Sequence, residues 1–180
     1  MGASGKKGAD PAGPAKRFAG SGGATSKNQE AVRRFTWAIA AISVHLEELR
    51  YFWAKTLGIS GPQWMILVAL ADLDEDDGVP VNVVSKKLHV DSSFVTTQSK
   101  LLEKKGLVRR KTSTADARIV NMSLSDKTYK HLANLASQQE ALNEFIFSEF
   151  SAGEINDLTG KLAALKKRLE KACMKVAVDF

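Results

Sequence analysis

Apolar residues recur at alternating steps of three and four near both ends of the chain. The first run begins after Asn28 and consists of Val32, Phe35, Ile39, Ile42, Leu46, Leu49 and Trp53. The second falls within residues 154–178 and consists of Ile155, Leu158, Leu162, Leu165, Leu169, Ala172 and Val176. These steps return to one side of an α-helix, so each run predicts a long amphipathic helix. Residues 125–150 predict a third long helix.

Long apolar stripes at both ends of a small protein need partners. One interpretation is a bundle within the chain. We favour the other, a dimerisation region built from residues 28–60 and 126–180. Residues 1–27 include 18 that are Gly, Ala, Ser or Pro, a composition typical of a flexible tail. The scattered lysines of that tail leave open a second role as a DNA-tethering arm.

The middle of the chain, residues 61–125, predicts a compact series of short elements. A helix opens at Pro62, and residues 79–81 are extended. Residues 83–88 form a short helix, residues 89–91 a tight turn, and Ser92 caps a second helix that Gly106 ends. Residues 107–111 and 120–124 alternate between apolar and polar positions, as the two strands of a hairpin do. This order predicts a mainly α-helical, winged helix-turn-helix fold with a small β-hairpin wing.

Charge is concentrated in that same region. Residues 82–125 carry nine basic and three acidic residues, a local net charge of +6. Such a block is the expected footprint of a polyanion contact, although a membrane surface would also accept it. Small hydroxyls and amides at a helix start can approach base edges and phosphates in a major groove. The candidate DNA-binding residues of the second helix and the first strand are therefore Ser92, Ser93, Thr96, Thr97, Gln98, Lys100 and Arg110.

Composition argues against several other classes of protein. The single cysteine, Cys173, excludes an intramolecular disulfide framework and an all-thiolate metal site, and it fits a reducing cytoplasm. No apolar run approaches the roughly 20 residues that a membrane helix needs. No phosphate-cradling glycine loop, metal-ligand cluster or nucleophile–base arrangement is recognisable. We therefore expect no enzymatic activity, no cofactor and no metal.

Two stretches of the middle region resemble a known family. Residues 116–125 read DARIVNMSLS and resemble the D-x-R-x-x-x-V-x-L-T wing signature of the MarR (multiple antibiotic resistance regulator) family. Residues 100–108 are similar to the family's link from recognition helix to wing. Ser125 replaces the usual threonine of the signature, and Thr128 stands where a glycine is common. The resemblance covers about residues 30–178.

This resemblance implies an obligate homodimer whose first and last helices intertwine. It also implies recognition helices in adjacent major grooves of double-stranded DNA, with the wing tips in the flanking minor grooves. Arg118 would enter the minor groove, where negative potential is strong, and Asp116 would hold it through an ion pair. The alternative is that this pair only stiffens the wing, and both roles are compatible. Repression at a palindromic operator is the family's usual mode of action.

Family members often release DNA when they bind small aromatic acids or, in some branches, the CoA thioesters of such acids. Aromatic walls with a cation suit a planar carboxylate, which makes ligand-binding candidates of His45, Arg50, Phe52, Trp53 and Trp64. Against this, Trp53 and Trp64 could be core residues, and Arg50 could pair with Glu47. Two alternatives remain for the function, a non-specific architectural DNA-binding protein and a regulator that senses oxidants through Cys173.

Overall fold

A computed structural model describes residues 23–73, 78–114 and 116–179 of the chain. Its elements over these ranges are, in order, α1 (Gly23–Thr56), α2 (Gly61–Leu73), β1 (Val79–Pro80), α3 (Val81–Leu88), α4 (Ser92–Lys104), β2 (Val108–Thr112), β3 (Val120–Leu124), α5 (Asp126–Phe147) and α6 (Ala152–Asp179). This order confirms the mainly helical, winged helix-turn-helix fold expected from the sequence.

The start of α1 differs from the expectation. The expected tail spans residues 1–27, of which residues 1–22 lie outside the described part of the chain. Residues 23–27 belong to α1, so that helix begins at Gly23 rather than at Asn28. Extending an existing helix adds one hydrogen bond per residue without a new nucleus, so a helix can run into a glycine- and alanine-rich stretch.

The chain divides into two compact units, residues 1–65 and residues 66–180. In the first unit α1 ends at Thr56, and the backbone N–H of Ile59 donates to the carbonyl of Ala54 at 3.1 Å. A reciprocal cap then opens α2. The N–H of Ser60 donates to Oε1 of Gln63 at 3.2 Å, and the N–H of Gln63 donates to the Ser60 hydroxyl. The buried residues of this unit are Trp53, Ala54, Ile59, Gln63 and Trp64.

The second unit contains a three-stranded antiparallel sheet with the order β1-β3-β2. Val79 pairs with Met122, and Val108 pairs with Leu124, so four buried apolar residues lie in register across the sheet. Gly78 has a φ of +76° just before β1, and a Cβ there would come within 3.0 Å of the Met122 carbonyl oxygen. Glycine is therefore required where β1 meets β3.

Both long C-terminal helices begin with side-chain caps. The hydroxyl of Ser125 accepts a hydrogen bond from the N–H of Thr128 at the start of α5. At α6, the N–H of Ser151 donates to Glu154 Oε2 at 2.8 Å, and the N–H of Glu154 donates back to the Ser151 hydroxyl. The Ser151 hydroxyl and backbone N–H, both donating to this carboxylate, hold the pKa of Glu154 below its usual value.

The apolar stripes on α1 and α6 are largely exposed in the single chain. Their exposed members are Val32, Phe35, Ile42, Leu46, Leu158, Leu162, Leu169 and Val176. Contiguous exposed apolar faces are unusual on monomeric proteins and are typical of interaction surfaces. Within the described ranges no single helix is long and apolar enough to cross a membrane, and only α1 and α2 counted together as a bent pair meet that test.

Candidate nucleic-acid interface

The turn between α3 and α4 fixes where the second helix begins. His89 adopts the left-handed conformation with a φ of 54°, and its N–H bonds to the last carbonyls of α3. The N–H of Val90 donates to the Ser85 carbonyl at 3.1 Å. Asp91 is extended and forms the N-cap of α4 without a side-chain cap bond, so the expectation of Ser92 as N-cap is wrong. Ser92 is the first helical residue, and its hydroxyl lies 2.8 Å from the hydroxyl of Ser85.

The inner and outer faces of α4 differ sharply in polarity. Val95, Ser99 and Leu102 are buried on the inner face. The six polar residues predicted to contact DNA retain exposure: Ser92, Ser93, Thr97 and Lys100 are exposed, and Thr96 and Gln98 are half-buried. The start of the helix therefore offers hydroxyl, amide and ammonium groups beside the exposed ring of Phe94. Such polar groups can contact base edges in a major groove.

The tip of the wing is held by the ion pair expected from the sequence. The backbone N–H of Arg118 donates to Oδ1 of Asp116 at 2.9 Å, and its Nε donates to the same oxygen at 3.2 Å. The Arg118 side chain is 91% exposed. Hydrogen bonds from the Arg118 side chain, and then from its backbone, hold the pKa of Asp116 below the usual value. The loop thus presents an exposed arginine whose orientation is restrained by a neighbouring carboxylate.

A groove separates the start of α4 from the wing. Its volume is about 440 Å³, and it is lined by Val81, Asn82, Ser92, Thr96, Arg110, Arg118, Ile119 and Val120. We call this the helix–wing groove. It brings together members of both predicted DNA-contacting sets, the hydroxyls of α4 and the wing arginine. Two guanidinium groups line it, and each has a carboxylate nearby, Asp116 beside Arg118 and Glu103 beside Arg110.

Arg110 occupies a different environment from the one the sequence suggested. It was expected to contact DNA and neutralise the phosphate backbone. Its side chain is only 12% exposed, and its Nη1 lies 3.8 Å from Glu103 Oε2. Its Nε is buried and has no hydrogen-bond partner among the residues that the structure describes. The burial of Arg110 could have been predicted from the alternation along β2. Arg110 lies two residues after buried Val108 and therefore on the same face of the sheet.

The residues predicted to bind an effector lie in different environments in the described part of the first unit. Trp53 and Trp64 are buried, which agrees with their interpretation as core residues, and Trp53 makes an edge-to-face contact with Phe52 at 5.1 Å between ring centroids. His45 pairs with Glu48 at 3.0 Å, and Arg50 is half-buried. A cavity of about 360 Å³ in the first unit is instead lined by Val44, Glu47, Glu48, Tyr51, Gly61 and Pro62.

Clustered metal ligands and free thiols are the other reactive groups to locate in the described part of the chain. Among the described residues, no three His, Cys, Asp or Glu side chains lie close enough together to hold a metal ion. Cys173 is a free, exposed thiol on α6. Neither observation adds a reactive group to the helix–wing groove.

Comparison with known proteins agrees with this geometry. Residues 59–120, which run from the turn before α2 to the first residue of β3, match the model of the MarR family. The chain carries a MarR-family domain. Members of this family are DNA-binding transcription regulators rather than enzymes.

Individual relatives share the same part of the chain. The chain is 29% identical over 112 residues to the uncharacterised HTH-type transcriptional regulator YdgJ of Bacillus subtilis, covering 62% of this chain and 66% of that protein. It is also 29% identical to the HTH-type transcriptional repressor MdtR of Bacillus subtilis, covering 61% of this chain and 72% of MdtR. The S. aureus MepR–DNA complex shares the fold with a TM-score of 0.64 at 20% identity, covering 74% of this chain and 97% of MepR.

Proposed function

We propose that this MarR-type regulator is a repressor that binds a palindromic operator as a homodimer. Each protomer inserts the start of α4 into a major groove and the wing arginine, Arg118, into the adjacent minor groove. The observation that carries this proposal is the helix–wing groove, because Ser92, Thr96 and Arg118 line one concave surface. A DNA backbone running between the two grooves would follow that surface. The repressor MdtR, at 29% identity, supports the direction of regulation.

Dimerisation is supported by the exposed apolar stripes on α1 and α6. Leu169 is 55% exposed and Val176 is 56% exposed in the single chain, although the 3–4 spacing would place both on a buried seam. A second copy of the chain is the partner that covers such stripes symmetrically. A two-fold dimer also matches a palindromic operator, whose half-sites are related by the same symmetry.

For the effector, we infer a small aromatic acid or its CoA thioester. The cavity lined by Glu47 and Glu48 is unsuited to a carboxylate, because two like charges would repel it. The helix–wing groove offers apolar walls from Val81, Ile119 and Val120, together with the guanidinium group of Arg110. An acid bound there would occupy the surface that faces DNA, so binding of the effector and of the operator would exclude each other.

The test is a titration of a palindromic duplex from the region upstream of the coding sequence, measured by fluorescence anisotropy at several salt concentrations. A regulator prefers the palindrome to a scrambled duplex by at least about a thousandfold, whereas an architectural binder shows little preference. In a second step, aromatic acids and their CoA thioesters are added to the protein–DNA complex, and release of the duplex is measured by the same anisotropy. In the Arg110→Gln variant the acid should no longer release the protein from DNA. His45→Gln, at a residue that the sequence predicted to bind the effector, is the control and should still be released. Release by peroxide that Cys173→Ser abolishes would instead establish the redox alternative.

A further inference from the structure

Two serines connect α3 with the first residue of α4. The hydroxyl of Ser85 lies 3.0 Å from the carbonyl oxygen of Asn82 and 2.8 Å from the hydroxyl of Ser92. Ser85 is only 5% exposed, whereas Ser92 is exposed at the outer surface of the helix-turn-helix. The pair therefore joins a buried hydroxyl, which water cannot reorient freely, to a hydroxyl that faces the solvent.

The number of protons on the two hydroxyls determines which of them donates the hydrogen bond between them. A serine hydroxyl carries one proton and two lone pairs, and a carbonyl oxygen can only accept. The short contact from Ser85 to the Asn82 carbonyl therefore uses the single proton of Ser85. It follows that Ser92 donates in the contact between the two hydroxyls, and its own proton points inward toward Ser85. The oxygen of Ser92 then has only lone pairs available, so it can accept a hydrogen bond from a ligand but cannot donate one.

We propose that Ser85 is a positioning residue for Ser92. Because the proton of Ser92 is used in its hydrogen bond to Ser85, the Ser92 oxygen can only accept a hydrogen bond from DNA, and it therefore selects adenine or cytosine. This inference rests on the proposed binding of α4 in the major groove. Phosphate oxygens, guanine N7 and O6, and thymine O4 all accept hydrogen bonds, so none of them can pair with such an oxygen. The donors in the major groove are the exocyclic amino groups, N6 of adenine and N4 of cytosine.

Thr96 supplies an internal comparison on the same helix. It lines the helix–wing groove as Ser92 does, but its hydroxyl has no hydrogen-bond partner in the part of the chain that the structure describes. Its proton is therefore available, and Thr96 can donate or accept. A variant at this position should change base preference without any dependence on Ser85.

The experiment uses the full chain and a library of duplexes with randomised half-sites. Wild type, Ser85→Ala, Ser92→Ala and Thr96→Ala each select from the library, and circular dichroism confirms that each variant is folded. Ser92→Ala identifies the base position that Ser92 contacts, because this variant loses the base preference of the wild type at that position. Wild type should select adenine or cytosine at this position, and Ser85→Ala should admit guanine and thymine, because the freed proton of Ser92 can then donate.

A second arm changes the DNA rather than the protein. At the identified position, adenine is replaced by purine, or cytosine by 2-pyrimidinone, so that only the amino group is removed. Wild type should bind the altered duplex about five- to tenfold more weakly, the usual loss for one hydrogen bond of this kind, while Ser92→Ala should show no difference. This arm does not depend on the folding of the Ser85 variant.

The outcomes separate this inference from the function on which it rests. A library without any enriched sequence overturns the proposed function and the inference together. An enriched operator with guanine or thymine at the Ser92 position overturns the inference alone. So does unchanged base selection by Ser85→Ala, by Ser92→Ala, or by wild type after removal of the amino group.

Discussion

The hydroxyl of Thr128 donates a hydrogen bond of 2.7 Å to the carbonyl oxygen of Leu107, which lies 21 residues earlier in the chain. The same carbonyl accepts from the N–H of Ser125 at 3.1 Å, and the N–H of Leu107 donates to the Leu102 carbonyl. One residue therefore connects the end of α4, the base of the wing and the cap of α5. Thr128 is fully buried, so its hydroxyl makes this hydrogen bond away from water.

Thr128→Val should destabilise the protein by about 1–2 kcal/mol. Valine keeps the volume but removes the proton donor, although the Leu107 carbonyl still accepts from Ser125. Thr128→Ser is the matched control, because it keeps the hydroxyl and loses a methyl group, at a cost of about 1 kcal/mol. Urea denaturation measures both free energies of unfolding. Equal stability of wild type and the valine variant would show that the hydrogen bond contributes nothing.

Arg118→Ala should weaken operator binding by more than tenfold without unfolding the protein. The wing arginine is 91% exposed, so its removal costs few folded-state contacts and mainly deletes a charge from the minor groove. Arg118→Lys is the control, because it keeps the charge but not the planar guanidinium group, and it should retain part of the affinity. Anisotropy at fixed salt compares the three proteins. Unchanged affinity of the alanine variant would remove the wing from the mechanism.

The Asp116 carboxylate should titrate below the ordinary aspartate range of about 4. Its pKa is lowered in the folded state by the Arg118 side chain and backbone, so the wing contact contributes above the unfolded pKa and is lost as pH falls through the folded one. Carboxyl ¹³C NMR measures this titration. Arg118→Ala should raise the pKa of Asp116 toward its usual value, whereas Lys111→Ala should change it little. An unshifted pKa in wild type would contradict the restrained geometry of the loop.

Leu162→Glu should convert the proposed dimer into a monomer. Leu162 lies on the α6 stripe and is 43% exposed in the single chain, so an added charge there would be buried unpaired in a dimer seam. Ala164→Glu, which adds the same charge to an exposed position away from the stripe, should leave the dimer intact. Sedimentation equilibrium distinguishes the two states. A dimer that survives the Leu162 substitution would place the interface elsewhere.

Local patterns predicted the elements of this fold well. The hairpin, the helix-turn-helix and the three long helices follow from periodicity and capping residues, and the Asp116–Arg118 pair lies within three residues of sequence. The errors came from contacts across longer separations. Ser92 is a good cap residue by type, but its hydroxyl bonds to Ser85 instead, seven positions earlier. The contact between Thr128 and Leu107 links two elements whose approach no local pattern encodes.

The binding residues were harder to predict than the fold. Exposure of the α4 hydroxyls follows from helical periodicity, but the burial of Arg110 depends on the sheet it faces. The predicted effector residues were chosen for their chemistry, and the structure distributes them among a buried core, an ion pair and an exposed surface. Residue types indicate which chemistry is available, whereas the shape of a cavity emerges only after packing.

The three-stranded sheet also opposes edge-to-edge aggregation of the protein. β2 lies at one edge, where unpaired backbone groups could recruit a strand from another molecule, and three consecutive cations, Arg109, Arg110 and Lys111, occupy it. The opposite edge, β1, is only two residues long and ends in Pro80, which has no N–H to donate. Charge that would attract a nucleic acid thus also keeps the wing from forming aggregates when no nucleic acid is bound.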